Sequence, residues 1–267
     1  MRHTLSTVVA LIAAQSAAAG LVVGNDQSGT ATIWDIDVDT GVATAIYSGS
    51  GSDAKPWGMA YAPSSNTLYW NNGGNLFSSA YGPVLTPSAA VPMTFNGNTV
   101  NFVGLGWRNG KLLGTRNIAT EAVYEIDPVT GISTLIYTYP STFDFGGVDV
   151  DAATGKLYGL SDSGGAGLYE IDTAGATQTF IAGYPAGETD IDGLAVHNGT
   201  AYFVTDGPNT VQANFYVYDI ALGSQVGTLP SPFTGTGTFA AAAFVPAPGG
   251  AVGLVMLGAV SAGRRRR

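Results

Sequence analysis

Two series of polar residues recur along the 267-residue sequence at nearly fixed intervals. Asp26, Asn72, Asn117, Asp162 and Asp206 follow one another at steps of 46, 45, 45 and 44 residues. Lys55, Asn101, Asp144 and Asp190 are separated by 46, 43 and 46, and a fifth place falls near Thr236. Asp149 and Asp192 add acids to the second series. Carboxylates and amides gathered on one surface hold cations or hydroxyl-rich ligands, and two carboxyl groups cleave a glycoside if one keeps its proton near neutral pH. Asp and Asn at strand ends also close Asx turns, the structural alternative for the first series. The nine residues named in the two series and Asp192 are therefore ligand-binding candidates, the fifth place near Thr236 being only approximate.

Other chemistry is thinly represented. There is no cysteine, which removes thiolate nucleophiles, disulfides and thiolate metal sites. His197 is the one histidine beyond the first few residues, and its "VHNGT" context reads as a turn. No G-x-S-x-G, H-E-x-x-H or phosphate-loop pattern occurs, and no motif calls for a cofactor. "DIDVDTG" (Asp35 to Gly41) has the alternating acids of a calcium loop. However, "EIDPVTG" occupies the same register with fewer acids, so the shared element is a hairpin turn ending in glycine, and no metal ligands are assigned.

The elements that carry these residues are strands. "IWDIDVDTG", "VYEIDPVTG", "LYEIDTAGA" and "FYVYDIALG" align through Asp37, Asp127, Asp172 and Asp219, at steps of 90, 45 and 47. One copy is worn, and "NLFSSAYGP" occupies its place. A second set, "WGMAYAP", "VGLGWRNG", "GGVDVDAATG" and "DGLAVHNG", places Gly58, Gly104, Gly147 and Gly193 at 46, 43 and 46, with "TFAAAAFVPAPG" as a fifth relative. Alternating apolar positions, turns rich in Gly and Asn, and four short strands in about 45 residues predict an all-β fold, a β-propeller of four-stranded blades.

Counting predicts five blades. "LVVGND" matches a second strand with no first strand before it, and "TFAAAAFVP" is a first strand with nothing after it. Pairing them closes the ring and removes two free edges. The expected blades are Leu21 to Gly49 with Phe239 to Pro246, then units centred on 57–95, 102–139, 145–183 and 191–230. The stretch Pro83 to Thr99 reads as irregular. In such a ring both polar series emerge on one face, at the channel mouth. Acids on adjacent blades (Asp144, Asp149, Asp190, Asp192) then allow a glycosidase-like reading, and the recurring Asp/Asn ring allows a lectin-like one. Trp34, Trp57, Trp70 and Trp107 read as packing between blades.

The termini carry addresses. Arg2, the apolar run Leu5 to Ala14 and Ala17-Ala18-Ala19 form a secretory signal with cleavage expected before Gly20. At the other end, Gly249 to Gly263 are uncharged, about 22 Å as a helix against a ~30 Å hydrocarbon core. Four arginines, Arg264, Arg265, Arg266 and Arg267, follow. The order Pro246-Ala247-Pro248, apolar run, arginine cluster resembles the PEP-CTERM sorting signals of exported bacterial proteins. That resemblance implies an exosortase-type processing protease as a partner, transient membrane association, and release to the cell surface or an extracellular polysaccharide matrix. The expected organisation is a signal peptide at 1–19, the propeller at 20–246 and the sorting segment at 247–267. Between the two signals, five basic residues face all 19 acids, a net −14 that disfavours nucleic acid. The function expected is a non-enzymatic binding or scaffold module for a surface protein or polysaccharide.

Overall fold

The computed structural model describes residues 19–26, 30–50, 55–116, 121–206, 213–235 and 237–247. It is an all-β, five-bladed propeller. The blade begun by β1 (Gly20–Asn25), β2 (Thr30–Asp37) and β3 (Ala43–Ser50) is completed by β22 (Ala240–Val245), in the order β22-β1-β2-β3. The register runs from Gly20 opposite Val245 to Asn25 opposite Ala240, so the last strand supplies the missing first one.

The other blades are continuous in sequence. β4 (Gly58–Ala62), β5 (Thr67–Asn71), β6 (Asn75–Ala80) and β7 (Val91–Pro92) make the second. Between it and the third lies the hairpin β8 (Thr94–Phe95) and β9 (Asn98–Thr99). The third blade comprises β10 (Gly104–Arg108), β11 (Lys111–Arg116), β12 (Ala122–Ile126) and β13 (Ile132–Thr138). β14 (Phe145–Val150), β15 (Leu157–Ser161), β16 (Gly167–Asp172) and β17 (Thr177–Gly183) form the fourth. The fifth is β18 (Gly193–His197), β19 (Thr200–Val204), β20 (Asn214–Asp219) and β21 (Ser224–Pro230).

The stretch Pro83 to Thr99 is more ordered than its sequence suggests. It supplies β7, and β8 runs parallel to the outer strand β13, with Thr94 opposite Ile132. Ser133 Oγ donates to the Thr94 carbonyl at 2.7 Å and Thr94 N–H to the Gly131 carbonyl at 2.9 Å. Proline content and two-residue strands hide such an attachment, because neither leaves an alternating pattern to read.

The core is divided among the seams. Val22, Ile33, Met59 and Trp70 pack between the first and second blades, and Ala60, Leu76, Leu105 and Tyr124 between the second and third. Leu113, Val123, Val148 and Tyr169 fill the next seam, Leu160, Leu168, Leu194 and Phe203 the one after, and Leu21, Ile36, Ala195 and Phe215 close the ring. Each buried aliphatic or aromatic side chain contributes about 1.5–3 kcal/mol of transfer free energy, so cohesion is spread around the circle.

The motif aspartates fix the outer turns. Asp37 accepts N–H bonds from Asp39 and Thr40, Asp127 from Val129 and Thr130, Asp172 from Ala174 and Gly175, and Asp219 from Leu222. "DIDVDTG" is thus a turn cap in the register that the repeat implies.

Candidate functional site

Among the described residues, the ends of the second strands and the segments leading into the next blade meet on one face. Asp162, after β15, stands beside Asp190 and Asp192, which precede β18: one carboxylate oxygen from each lies within 4.8 Å of the others. Asp144, before β14, is tied to the same group, since Asp162 N–H donates to the Asp144 carbonyl at 3.3 Å. Glu121 and Asp206 add to the field around them.

A ring of short polar side chains lies one place before the first polar series, two places before it in the third blade, and two of its members tie these loops. Asn25, Asn71, Thr115, Ser161 and Thr205, at steps of 46, 44, 46 and 44, are each at most 1% exposed. Asn71 receives Gly58 N–H at 3.0 Å and donates to the Phe102 carbonyl at 3.1 Å, joining its blade to the next. Ser161 Oγ receives Asp144 N–H at 3.0 Å and donates to the Ser163 carbonyl at 2.7 Å. This ring was readable as a second recurrence beside the first, yet Asn, Thr and Ser in exchange blur it. Asn71 and Ser161 rigidify the loops they satisfy, whereas the Asn25 amide and the Thr115 and Thr205 hydroxyls are buried without a hydrogen-bond partner among the described residues.

Burial and mutual repulsion set the electrostatics. Desolvation, then the charges of Asp190, Asp162, Asp206 and Asp144, raise the Asp192 carboxyl to about 9. Asp162 is raised by desolvation and by Asp190 and Asp144, against the bond it accepts from Tyr184 Oη at 2.8 Å. The Tyr184 phenol is pushed up in turn, by burial and by Asp162. Three carboxyl oxygens this close cannot all be charged without a counter-ion, so the group either retains protons or gathers cations. Asp162, Asp190 and Asp192 are the described residues able to hold a metal, and an all-oxygen set suits a hard cation. A protonated acid beside an ionised one is also the minimal equipment for proton transfer.

The remaining candidates divide between this sector and the rest of the face. Asp26 clasps the chain end, receiving the N–H groups of Thr238 and Phe239 at 2.6 and 3.1 Å. Asn72 receives Asn75 N–H at 3.0 Å. Asn101 is exposed and lies beside Gly74, while Lys55 is half-buried at the start of the second blade. Trp57 stacks on Phe239 with ring centroids 4.2 Å apart, giving this side of the mouth an aromatic character. Asn117, Thr236, Pro248 and Arg264 to Arg267 lie outside the described residues, as do residues 1–18.

Asp149 is corrected. β14 runs from Phe145, opposite Ser161, to Val150, opposite Leu157, so Asp149 sits near the far end of that strand. There its carboxylate receives Val196 N–H at 2.7 Å and Val150 N–H at 2.8 Å, and burial raises it to about 8. It bridges two inner strands and takes no part in the acidic face. His197, also at that far end, stacks on Phe244 at 4.2 Å.

The axis is closed. A Cβ on Gly58 would lie 2.7 Å from Val103 O, one on Gly104 2.6 Å from Gly146 O, and one on Gly147 2.3 Å from Asp192 O. The inner strands therefore approach backbone to backbone, and the space among Gly58, Gly104, Gly147, Gly193 and Ala241 leaves no room for a water molecule. Among the described residues, the axis behind Asp192 is filled.

The sequence matches no protein-family model, and no curated protein matches it. Solved structures do resemble it. A chain of the nidogen–laminin complex is 12% identical over 84% of this chain and 98% of its own length, at a TM-score of 0.52. TolB from Acinetobacter baumannii is 11% identical over 85% and 67%, at 0.51. Glutaminyl cyclase from Myxococcus xanthus is 17% identical over 53% and 63%, at 0.41, a superposition too loose to bear on the argument. Identities this low carry architecture alone, and by architecture the chain is a five-bladed β-propeller.

Proposed function

We propose that the protein is an exported binding module that docks a surface protein or an extracellular polysaccharide on its acidic face. The observation that carries this reading is the convergence of Asp144, Asp162, Asp190 and Asp192 over a filled axis. A charged sector over a filled axis suits an extended partner with cationic or hydroxyl groups better than a small molecule needing enclosure. The likeness to a chain of the nidogen–laminin complex supports a macromolecular partner by analogy of fold. Under this reading residues 1–19 direct export, 20–246 form the module, and 247–267 are read by an exosortase-type protease during a transient stay in the membrane. No helix among the described residues is long and apolar enough to cross a membrane, and the apolar tail lies outside them.

The placement of the two strands that meet at the ring closure agrees with this. Gly20 and Val245 are opposite each other, at the end of the blade away from Asp26 and Phe239. A chain held through either terminus therefore turns its acidic face away from the attachment point.

Glycoside cleavage is the second reading, favoured by the proximity of Asp162 and Asp190 to an Asp192 that keeps its proton at neutral pH. A lectin with one site per blade is less well supported, because the close carboxyl triad belongs to two blades. The test is a glycan-array, basic-protein and glycan-hydrolysis screen of the exported protein beside its Asp144→Ala/Asp190→Ala variant. Binding that is lost in the variant at unchanged melting temperature supports the module. Glycan turnover abolished by Asp192→Asn replaces it with the enzyme, and a variant that binds every captured partner as well as the parent overturns the assigned face.

A further inference from the structure

The first strand begins against an unsatisfied carboxylate. Asp35, on β2, is held through one oxygen only: Tyr81 Oη donates to Oδ2 at 2.6 Å. The other oxygen, Oδ1, is buried and has no hydrogen-bond partner. It is turned toward Gly20, where a Cβ would lie 2.2 Å from Oδ1 and 3.2 Å from Tyr81 Oη. Since N and Cβ on one Cα are about 2.5 Å apart, Oδ1 is within about 4.7 Å of the Gly20 nitrogen. A buried, half-satisfied carboxylate is costly, and evidently nothing in the peptide form of residue 20 offsets it. Desolvation raises the Asp35 carboxyl, and the charged neighbour acting on it, Asp37, has the same sign.

We infer that Asp35 and Tyr81 form a receptor for the α-ammonium group that cleavage before Gly20 creates, so that maturation completes the first blade. The inference rests on the export reading above. Hydrolysis of the Ala19–Gly20 peptide adds one water, leaving a carboxylate on the released segment and an amine on Gly20 that takes up a proton. In place of one N–H, the nitrogen then has three and a positive charge. The strand register shows where they go. Val38 N–H donates to the Ala19 carbonyl, and Asp26 N–H to the Phe239 carbonyl, so odd residues of β1 bond toward β2 and even ones toward β22. One Gly20 hydrogen continues to β22, and the two that cleavage adds are free to turn toward Asp35 Oδ1.

Two further features fit a processed end. A cleft of about 470 Å³, lined by Ala19, Gly20, Asp35, Thr40, Thr44 and Tyr81, opens beside the strand, so the bond is reached without opening the core. Glycine at position 20 is also required by the pair itself, because any side chain there would displace Oδ1.

The experiment compares the exported protein, the same protein acetylated at its N-terminus, and Asp35→Asn in both states, by thermal unfolding. Acetylation puts a carbonyl in place of that of Ala19 and removes the charge together with the two N–H donors that cleavage adds. We expect the free amine to melt roughly 2–6 °C above the acetylated form. Asp35→Asn should lower the melting temperature of the free form and leave the acetylated one level or higher. Equal effects of Asp35→Asn in both states would overturn the capture while leaving export intact. N-terminal sequencing that begins at a residue other than Gly20 would overturn the processing site and the capture together.

Discussion

Asp26 and Phe239 are bonded twice. Asp26 N–H donates to the Phe239 carbonyl at 3.2 Å, and Phe239 N–H donates to Asp26 Oδ1 at 3.1 Å. The same oxygen takes Thr238 N–H at 2.6 Å, so one carboxylate gathers the strand that closes the ring 212 residues later. Replacing Asp26 by Ala leaves two backbone donors without their acceptor, a loss of about 1–3 kcal/mol. For a domain of this size that is roughly 3–9 °C in melting temperature, to be read by calorimetry. An unchanged Tm would show the clasp to be dispensable.

The ring closure itself is tested by length. A chain ending at Gly235 lacks β22 and leaves the β1 edge unpaired, so it should unfold without a sharp transition and self-associate. A chain ending at Ala247 retains the strand and should melt as the parent does. Superimposable curves would refute the role of β22.

Stability should fall from mildly acidic to alkaline pH. The folded-state carboxyls of Asp192 and Asp149 are raised to about 9 and about 8, and that of Asp162 is raised as well. Because the unfolded chain releases these protons near the ordinary carboxylate range, the native state binds more protons above that range. Stability is full below it and declines as pH rises through the folded values. The decline should fall between pH 5 and pH 9, and Asp192→Asn should flatten it. A parent melting temperature that rises toward pH 9 would contradict the arrangement.

Ala176 occupies a place that glycine fills elsewhere. Its φ is 54°, and the corresponding Gly41, Gly131 and Gly223 have φ of 72°, 69° and 61°. A left-handed backbone penalises a Cβ, so Ala176→Gly should stabilise by about 0.5–1 kcal/mol despite the added freedom of the unfolded chain. Chemical denaturation that finds the variant less stable would reject this reading of the turn.

For the C-terminal segment, we expect the mature protein from its native host to lack its last ~20 residues, the length that starts where the apolar run begins. Replacing Arg264 to Arg267 by Ser should impair both retention and cutting. Intact Arg267 in mass spectra of surface material would favour permanent anchoring.

The ring was legible because its period is written in residues with few substitutes. Inner-strand glycines such as Gly104 have no room for a side chain, and turn aspartates such as Asp127 hold two N–H groups at once. The acid cluster was legible only as a set of candidates. Asp162 belongs to one polar series and Asp190 to the other, and which members meet depends on how far each loop leans, which spacing does not record. Asp149 misled for the related reason that one short count along β14 crosses from one face of the ring to the other. The Asp35–Gly20 contact left no periodic trace, because it occurs in the single blade whose strand begins at a chain end.

The glycines that seal the axis also fix its girth. At Gly58, Gly104 and Gly147 the neighbouring backbone already stands where a methyl carbon would go, so the perimeter is set by atoms that are missing. Adding one carbon at any of these places must push two blades apart, and in a closed circle that displacement is shared by every other joint. The joint between β1 and β22 is made by strands from opposite ends of the described chain, and it is where a ring forced wider would come undone first.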